Sequence, residues 1–128
     1  MINKTILIIE DDKEVQTLLR FILEKEGYNI IQVENGREAL EILGIEKTGK
    51  DVIIPDIVLL DIMLPEVDGY TILKKMELVP ALFDLPVVVV TAKPLMSDLF
   101  LMSRNVKHFF SKPFNTKMLR DKIKELIG

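Results

Sequence analysis

Three runs of four uninterrupted aliphatic residues stand along this chain: Ile6-Leu7-Ile8-Ile9, Ile57-Val58-Leu59-Leu60 and Val87-Val88-Val89-Val90. A strand with one wet face alternates apolar and polar residues, whereas an unbroken apolar run fits a strand covered on both faces. Helices provide that cover in parallel sheets. The segments between the runs have the required character. Val15, Leu18, Leu19, Ile22 and Leu23 recur at helical spacing, and Gly27 follows as a natural stop. Tyr28 to Val33 alternates like a strand, and Glu34-Asn35-Gly36 is turn chemistry. Arg37 to Leu43 predicts a short helix, and Gly44 to Pro55 a connection. Pro65 to Gly69 reads as a loop before a helix from about Tyr70 to Leu78, and Pro80 to Pro86 as another connection. Pro94 suits the first turn of a fourth helix reaching about Ser103. Phe109-Phe110 marks a last short strand, and Thr116 is expected to cap a final helix carrying Leu119, Ile123 and Leu126. The pattern is β-α five times: an α/β fold with a five-stranded parallel sheet and helices on both faces.

Open parallel sheets place their sites at the carboxyl ends of the strands. Glu10, Asp11 and Asp12 follow the first strand, Asp61 the third, Thr91 the fourth and Lys112 the fifth. Acids, a hydroxyl and an amine therefore converge on one edge. Carboxylates bind hard cations such as Mg2+, and a carboxylate can itself be the nucleophile that forms an acyl phosphate. Phosphoryl transfer needs charge neutralisation above all, which a cation, an ammonium and a hydroxyl supply.

The stretches Ile6-Leu7-Ile8-Ile9-Glu10-Asp11-Asp12, Ile57-Val58-Leu59-Leu60-Asp61-Ile62-Met63-Leu64-Pro65, Asp68-Gly69, Thr91-Ala92-Lys93 and Ser111-Lys112-Pro113-Phe114 make the chain resemble the receiver domain of two-component response regulators over essentially its whole length. The resemblance implies a flavodoxin-like strand order, 2-1-3-4-5, with residues 1–128 as one receiver domain. It implies Asp61 as phosphoacceptor, with Thr91 and Lys112 binding the phosphoryl group. Mg2+ would be held by Asp11, Asp61 and the Met63 backbone carbonyl, with Glu10 reaching it through water. Thr91 and Phe109 would form the switch, and the Lys112-Pro113 bond would be cis. The implied donor is a sensor histidine kinase or phosphotransfer protein. The implied output is a downstream protein or a homodimer, met through the fourth helix, fifth strand and fifth helix. The fourth helix, Leu95 to Met102, has more apolar side chains than one buried stripe accommodates, which suits an exposed binding patch.

The chain departs from the family in places. Asp11 to Asp61 spans 50 positions, a few more than usual, and Thr91 to Lys112 spans 21, one fewer. Asn105-Val106-Lys107 replaces the common Gly-Ala-Asp; asparagine tolerates a left-handed turn, which is the conformation expected there. A dehalogenase-type enzyme would want a second Asp two positions after the nucleophile, where this chain has Met63, so a switch rather than a turnover enzyme is expected. A phosphorylation-independent pseudo-receiver is the alternative, although no key residue is missing. Asp12 is expected to cap a helix rather than bind metal. Thr48-Gly49-Lys50 lacks the rest of a phosphate-loop pattern, and the lone His108 has no partner His or Cys for a metal. A net charge of −3 argues against direct nucleic-acid binding. The absence of a signal-peptide pattern, of a membrane-length apolar stretch and of cysteine points to a cytoplasmic protein without membrane insertion.

Overall fold

The structure, a computed structural model, describes residues 3–46, 51–92 and 103–128. Lys93, the predicted fourth helix and Thr48-Gly49-Lys50 lie outside the described residues. Within them the elements run β1 (Thr5–Ile9), α1 (Lys13–Glu24), β2 (Asn29–Val33), α2 (Gly36–Ile42), β3 (Ile57–Leu60), α3 (Gly69–Met76), a 3-10 turn at Pro80–Leu82, β4 (Val87–Thr91), β5 (Val106–Ser111) and the C-terminal helix α4 (Thr116–Ile127). The strands form one parallel sheet in the order β2-β1-β3-β4-β5.

The aliphatic runs are unbroken because alternate residues of each strand enter different cores. Ile6, Ile8, Ile57, Leu59, Val88 and Val90 pack with Leu19 and Leu23 of α1 and Leu119 and Ile123 of α4. Leu7, Ile9, Val58, Leu60, Val87 and Val89 pack with Ala39 and Leu40 of α2 and Ile72, Leu73 and Met76 of α3. Each such side chain contributes roughly 1.5–3 kcal/mol on burial, so a polar residue at any of these positions is costly.

Several boundaries fall one residue from where the sequence suggests. Asn35 and Asp68 cap α2 and α3, their side chains accepting from the Glu38 and Thr71 N–H groups at 2.9 and 2.8 Å. Asn115, not Thr116, caps α4: its Oδ1 accepts the Met118 N–H at 2.9 Å, and Thr116 is the first helical residue. β5, the strand that carries Phe109-Phe110, is six residues long and ends at Ser111.

Asn105 does not adopt the left-handed turn. Among the described residues Glu66 alone of the non-glycines has a positive φ, 66°. Asn105 is buried, and its Nδ2 donates to the Leu82 and Leu85 carbonyls, both at 2.8 Å. It thus ties the 3-10 turn to the start of β5, beside a register shift in the β4–β5 ladder.

Candidate functional site

The strand order places the ends of β1 and β3 side by side at the sheet centre, with β4 and β5 following. Pairing continues past the strands themselves. The Asp61 N–H reaches the Ile9 carbonyl at 3.1 Å, the Glu10 N–H the Val33 carbonyl at 3.2 Å, and the Lys112 N–H the Thr91 carbonyl at 3.0 Å. Backbone hydrogen bonds therefore hold Glu10, Asp61, Thr91 and Lys112 at one edge.

Asp61 is buried, with 5% exposure. Its Oδ2 accepts from Lys112 Nζ at 2.9 Å and its Oδ1 from the Met63 N–H at 2.9 Å. Glu10 is 1% exposed; its Oε1 lies 2.6 Å from Lys112 Nζ, and its Oε2 accepts the Asp12 N–H at 3.1 Å. Asp11 is exposed. One oxygen from each of Glu10, Asp11 and Asp61 lies within 4.8 Å of the others. Such a set of hard oxygen donors on one small volume fits a divalent cation such as Mg2+.

The electrostatics follow from one ammonium shared among three carboxylates. Burial, reinforced by the charge of Asp61, pushes the Glu10 carboxyl from 4.5 up to about 7 despite its hydrogen bonds to Lys112 and Asp12. Burial works to lower the Lys112 ammonium, but hydrogen bonds and attraction from Glu10 and Asp61 outweigh it and raise it. Lys112 therefore stays charged while Glu10 is easily protonated.

The loop after Asp61 depends on two glycines. A Cβ on Gly69 would sit 2.7 Å from the Ile62 Cα and 2.9 Å from the Asp61 carbonyl oxygen, and one on Gly36 would collide with the Val67 carbonyl. Only glycine lets α3 begin this close to the residue after Asp61 and α2 dock on the loop.

Of the sequence-predicted residues, Glu10, Asp11, Asp61 and Lys112 are brought together. Thr91 is buried at the end of β4 beside them, and the Met63 side chain stands exposed. Phe109 is half-buried against the core under α2 and α3, paired with Val89. The Lys112-Pro113 bond is cis. Asp12 caps α1 through the Glu14 and Val15 N–H groups. His108 stacks at a tilt on Phe110, 4.8 Å between centroids. One residue not anticipated, Gln16, also reaches the site: its buried side chain donates to the Glu10 carbonyl. The available signal was a polar residue on the stripe that α1 shares with Leu19 and Leu23.

Residues 6–124 match the family model described as the response regulator receiver domain, and the chain belongs to that family. Sporulation initiation phosphotransferase F of Bacillus subtilis (strain 168) is 34% identical over 129 aligned positions, covering 99% of this chain and 96% of that protein. The alkaline phosphatase synthesis transcriptional regulatory protein PhoP of the same organism is 32% identical over 126 residues; the match takes in 98% of this chain but 49% of PhoP, so the chain spans about half that relative's length. The receiver domain of the sensor histidine kinase PA1611 from Pseudomonas aeruginosa PAO1, solved with a magnesium ion coordinated in its active site cleft, superposes with a TM-score of 0.79 at 26% identity, covering 99% of both chains. This chain is thus a two-component receiver domain with an acidic cluster that fits Mg2+. Among the described residues no helix is long and apolar enough to cross a membrane.

Proposed function

We propose that Asp61 accepts a phosphoryl group from a sensor histidine kinase or phosphotransfer protein, and that residues 1–128 act as a cytoplasmic switch rather than a turnover enzyme. The observation that carries this is the Asp61 carboxylate itself. It is buried at a strand end, held by Lys112 at 2.9 Å, and within 4.8 Å of two further acids. A carboxylate with only a structural role would not be surrounded by a surplus of its own charge.

Asp11, Asp61 and the Met63 carbonyl are the residues to hold Mg2+, with Glu10 reaching it through water; when bound, Mg2+ neutralises charge on the transferring phosphoryl oxygens. An Asp61 oxygen attacks phosphorus as the P–N bond of the donor phosphohistidine breaks. The product is an acyl phosphate, and the departing imidazole takes up a proton from water. Lys112 Nζ and the Thr91 hydroxyl bind the phosphoryl oxygens. Movement of Thr91 towards that group frees space for Phe109, which changes the face offered by the predicted fourth helix, β5 and α4 to a downstream protein or a second copy of the chain. Such coupling requires only that the partner prefer one of the two states.

Incubation with acetyl phosphate and Mg2+ tests this by mass spectrometry. The wild-type chain gains one phosphoryl mass, and Asp61→Asn, Asp11→Ala and EDTA each abolish the gain. Labelling of Asp61→Asn as strong as wild type would overturn the assignment. An unlabelled wild type would favour a phosphorylation-independent interaction module.

A further inference from the structure

The buried stripe of α1 contains one side chain that apolar packing does not explain. Gln16 is 4% exposed. A primary amide in such a place is costly unless hydrogen-bonded. Its Nε2 donates to the main-chain carbonyl of Glu10. That carbonyl lies one residue beyond the paired part of β1, and among the described residues no backbone N–H reaches it.

The peptide plane carrying this oxygen also carries the Asp11 N–H and ends at the Asp11 Cα, so fixing it anchors the point from which the Asp11 side chain leaves the backbone. Among the described residues little else directs Asp11. The Glu10 oxygens are held by Lys112 and the Asp12 N–H, and the Asp61 oxygens by Lys112 and the Met63 N–H. Among the described residues the Asp11 carboxylate has no such partner, yet one of its oxygens lies within 4.8 Å of both other acids, against like-charge repulsion.

We propose that Gln16 is a positioning residue for the cation site: by fixing the Glu10 carbonyl it holds Asp11 aimed at Asp61 before the cation arrives. This rests on the reading of Glu10, Asp11 and Asp61 as the Mg2+ site. Preorganisation of this kind raises affinity because the site does not have to be assembled on binding.

Gln16→Met keeps the volume and removes the donor, while Gln16→His, measured at pH 8 where the imidazole is neutral, keeps an N–H donor of similar reach without adding charge. Mg2+ affinity is measured by calorimetric titration of each intact chain, with thermal melting alongside. Gln16→Met is expected to bind Mg2+ about tenfold more weakly, as when an outer hydrogen bond to a metal ligand is lost. Its labelling by acetyl phosphate slows at low Mg2+ and recovers at saturation. Gln16→His stays close to wild type in Mg2+ affinity. A residue needed only for packing would lower the melting temperature of Gln16→Met and leave Mg2+ affinity in the folded protein unchanged, which would overturn the proposal. If Gln16→Met does not fold, Gln16→His decides: affinity near wild type supports the proposal, and a tenfold loss overturns it. Failure of the underlying reading is distinguishable, because wild type itself would then bind no Mg2+.

Discussion

Glu10 makes the proposed cation site sensitive to pH near neutrality. Its carboxyl, at about 7 in the folded chain against 4.5 ordinarily, is protonated at pH 6 and mostly ionised at pH 8. Its folded-state value is raised, so the folded protein holds a proton that the unfolded chain has released. Without metal, stability therefore falls as pH rises from about 4.5 to 7, by about 3 kcal/mol at most. The same proton opposes cation binding, because Mg2+ favours the ionised site. The ionised fraction of a group with this value falls from about nine-tenths at pH 8 to about one-tenth at pH 6, so Mg2+ affinity drops about tenfold across that window. Calorimetric titrations at pH 6, 7 and 8, in buffers of different ionisation enthalpy, report both the affinity and the protons released. Close to one proton is expected to leave per Mg2+ bound at pH 6 and almost none at pH 8. Glu10→Gln keeps the shape, removes the titration and flattens the profile. A wild-type affinity independent of pH, or a Glu10→Gln profile as steep as wild type, would refute the reasoning.

Two further outcomes follow from single side chains. Met63 is 58% exposed beside Asp61 and cannot orient water by hydrogen bonding, so Met63→Asn is expected to shorten the life of the phosphorylated form several-fold, read as decay of the phosphoryl mass after the donor is removed. Asn105→Ala strips a donor from the Leu82 and Leu85 carbonyls and is expected to lower stability by about 2–6 kcal/mol in urea unfolding, at the cost of about 1–3 kcal/mol for each of the two groups left unpaired.

What the sequence shows and what it hides have physical reasons. Strands covered on both faces are legible because each residue must be apolar whichever core it enters, as with Val88 under α1 and α4 and Val89 under α2 and α3. The site is legible because the carboxyl ends of such strands converge, so Asp61 and Lys112 meet although 51 positions apart. Helix starts at Gly36, Gly69 and Thr116 are misplaced by a residue because adjacent cap-forming residues compete, and tertiary packing decides between them. Asn105 is misread because its propensity for left-handed turns is local, whereas its three carbonyl partners lie about 20 residues away in sequence, at Leu82, Phe83 and Leu85. Gln16 escapes notice for the opposite reason. A polar residue in a helix ordinarily faces water, and only the position of Leu19 and Leu23 shows that this one does not.

The balance of charge explains why these residues sit together despite their cost. Lys112 touches Glu10 at 2.6 Å and Asp61 at 2.9 Å, so one ammonium already serves two buried acids before Asp11 is considered. Two apolar residues in place of such a buried pair are often neutral or stabilising, so fold stability alone does not account for it. The arrangement gains from an added cation, which relieves Glu10, Asp11 and Asp61 at once. On the proposed reading Lys112 also turns to a phosphoryl group on Asp61, whose charge sits on outer oxygens rather than on the buried carboxylate. The metal-free cluster is therefore the costly state, and on the proposed reading a cation compensates both the three carboxylates and the further negative charge that a phosphoryl group brings to the end of β3.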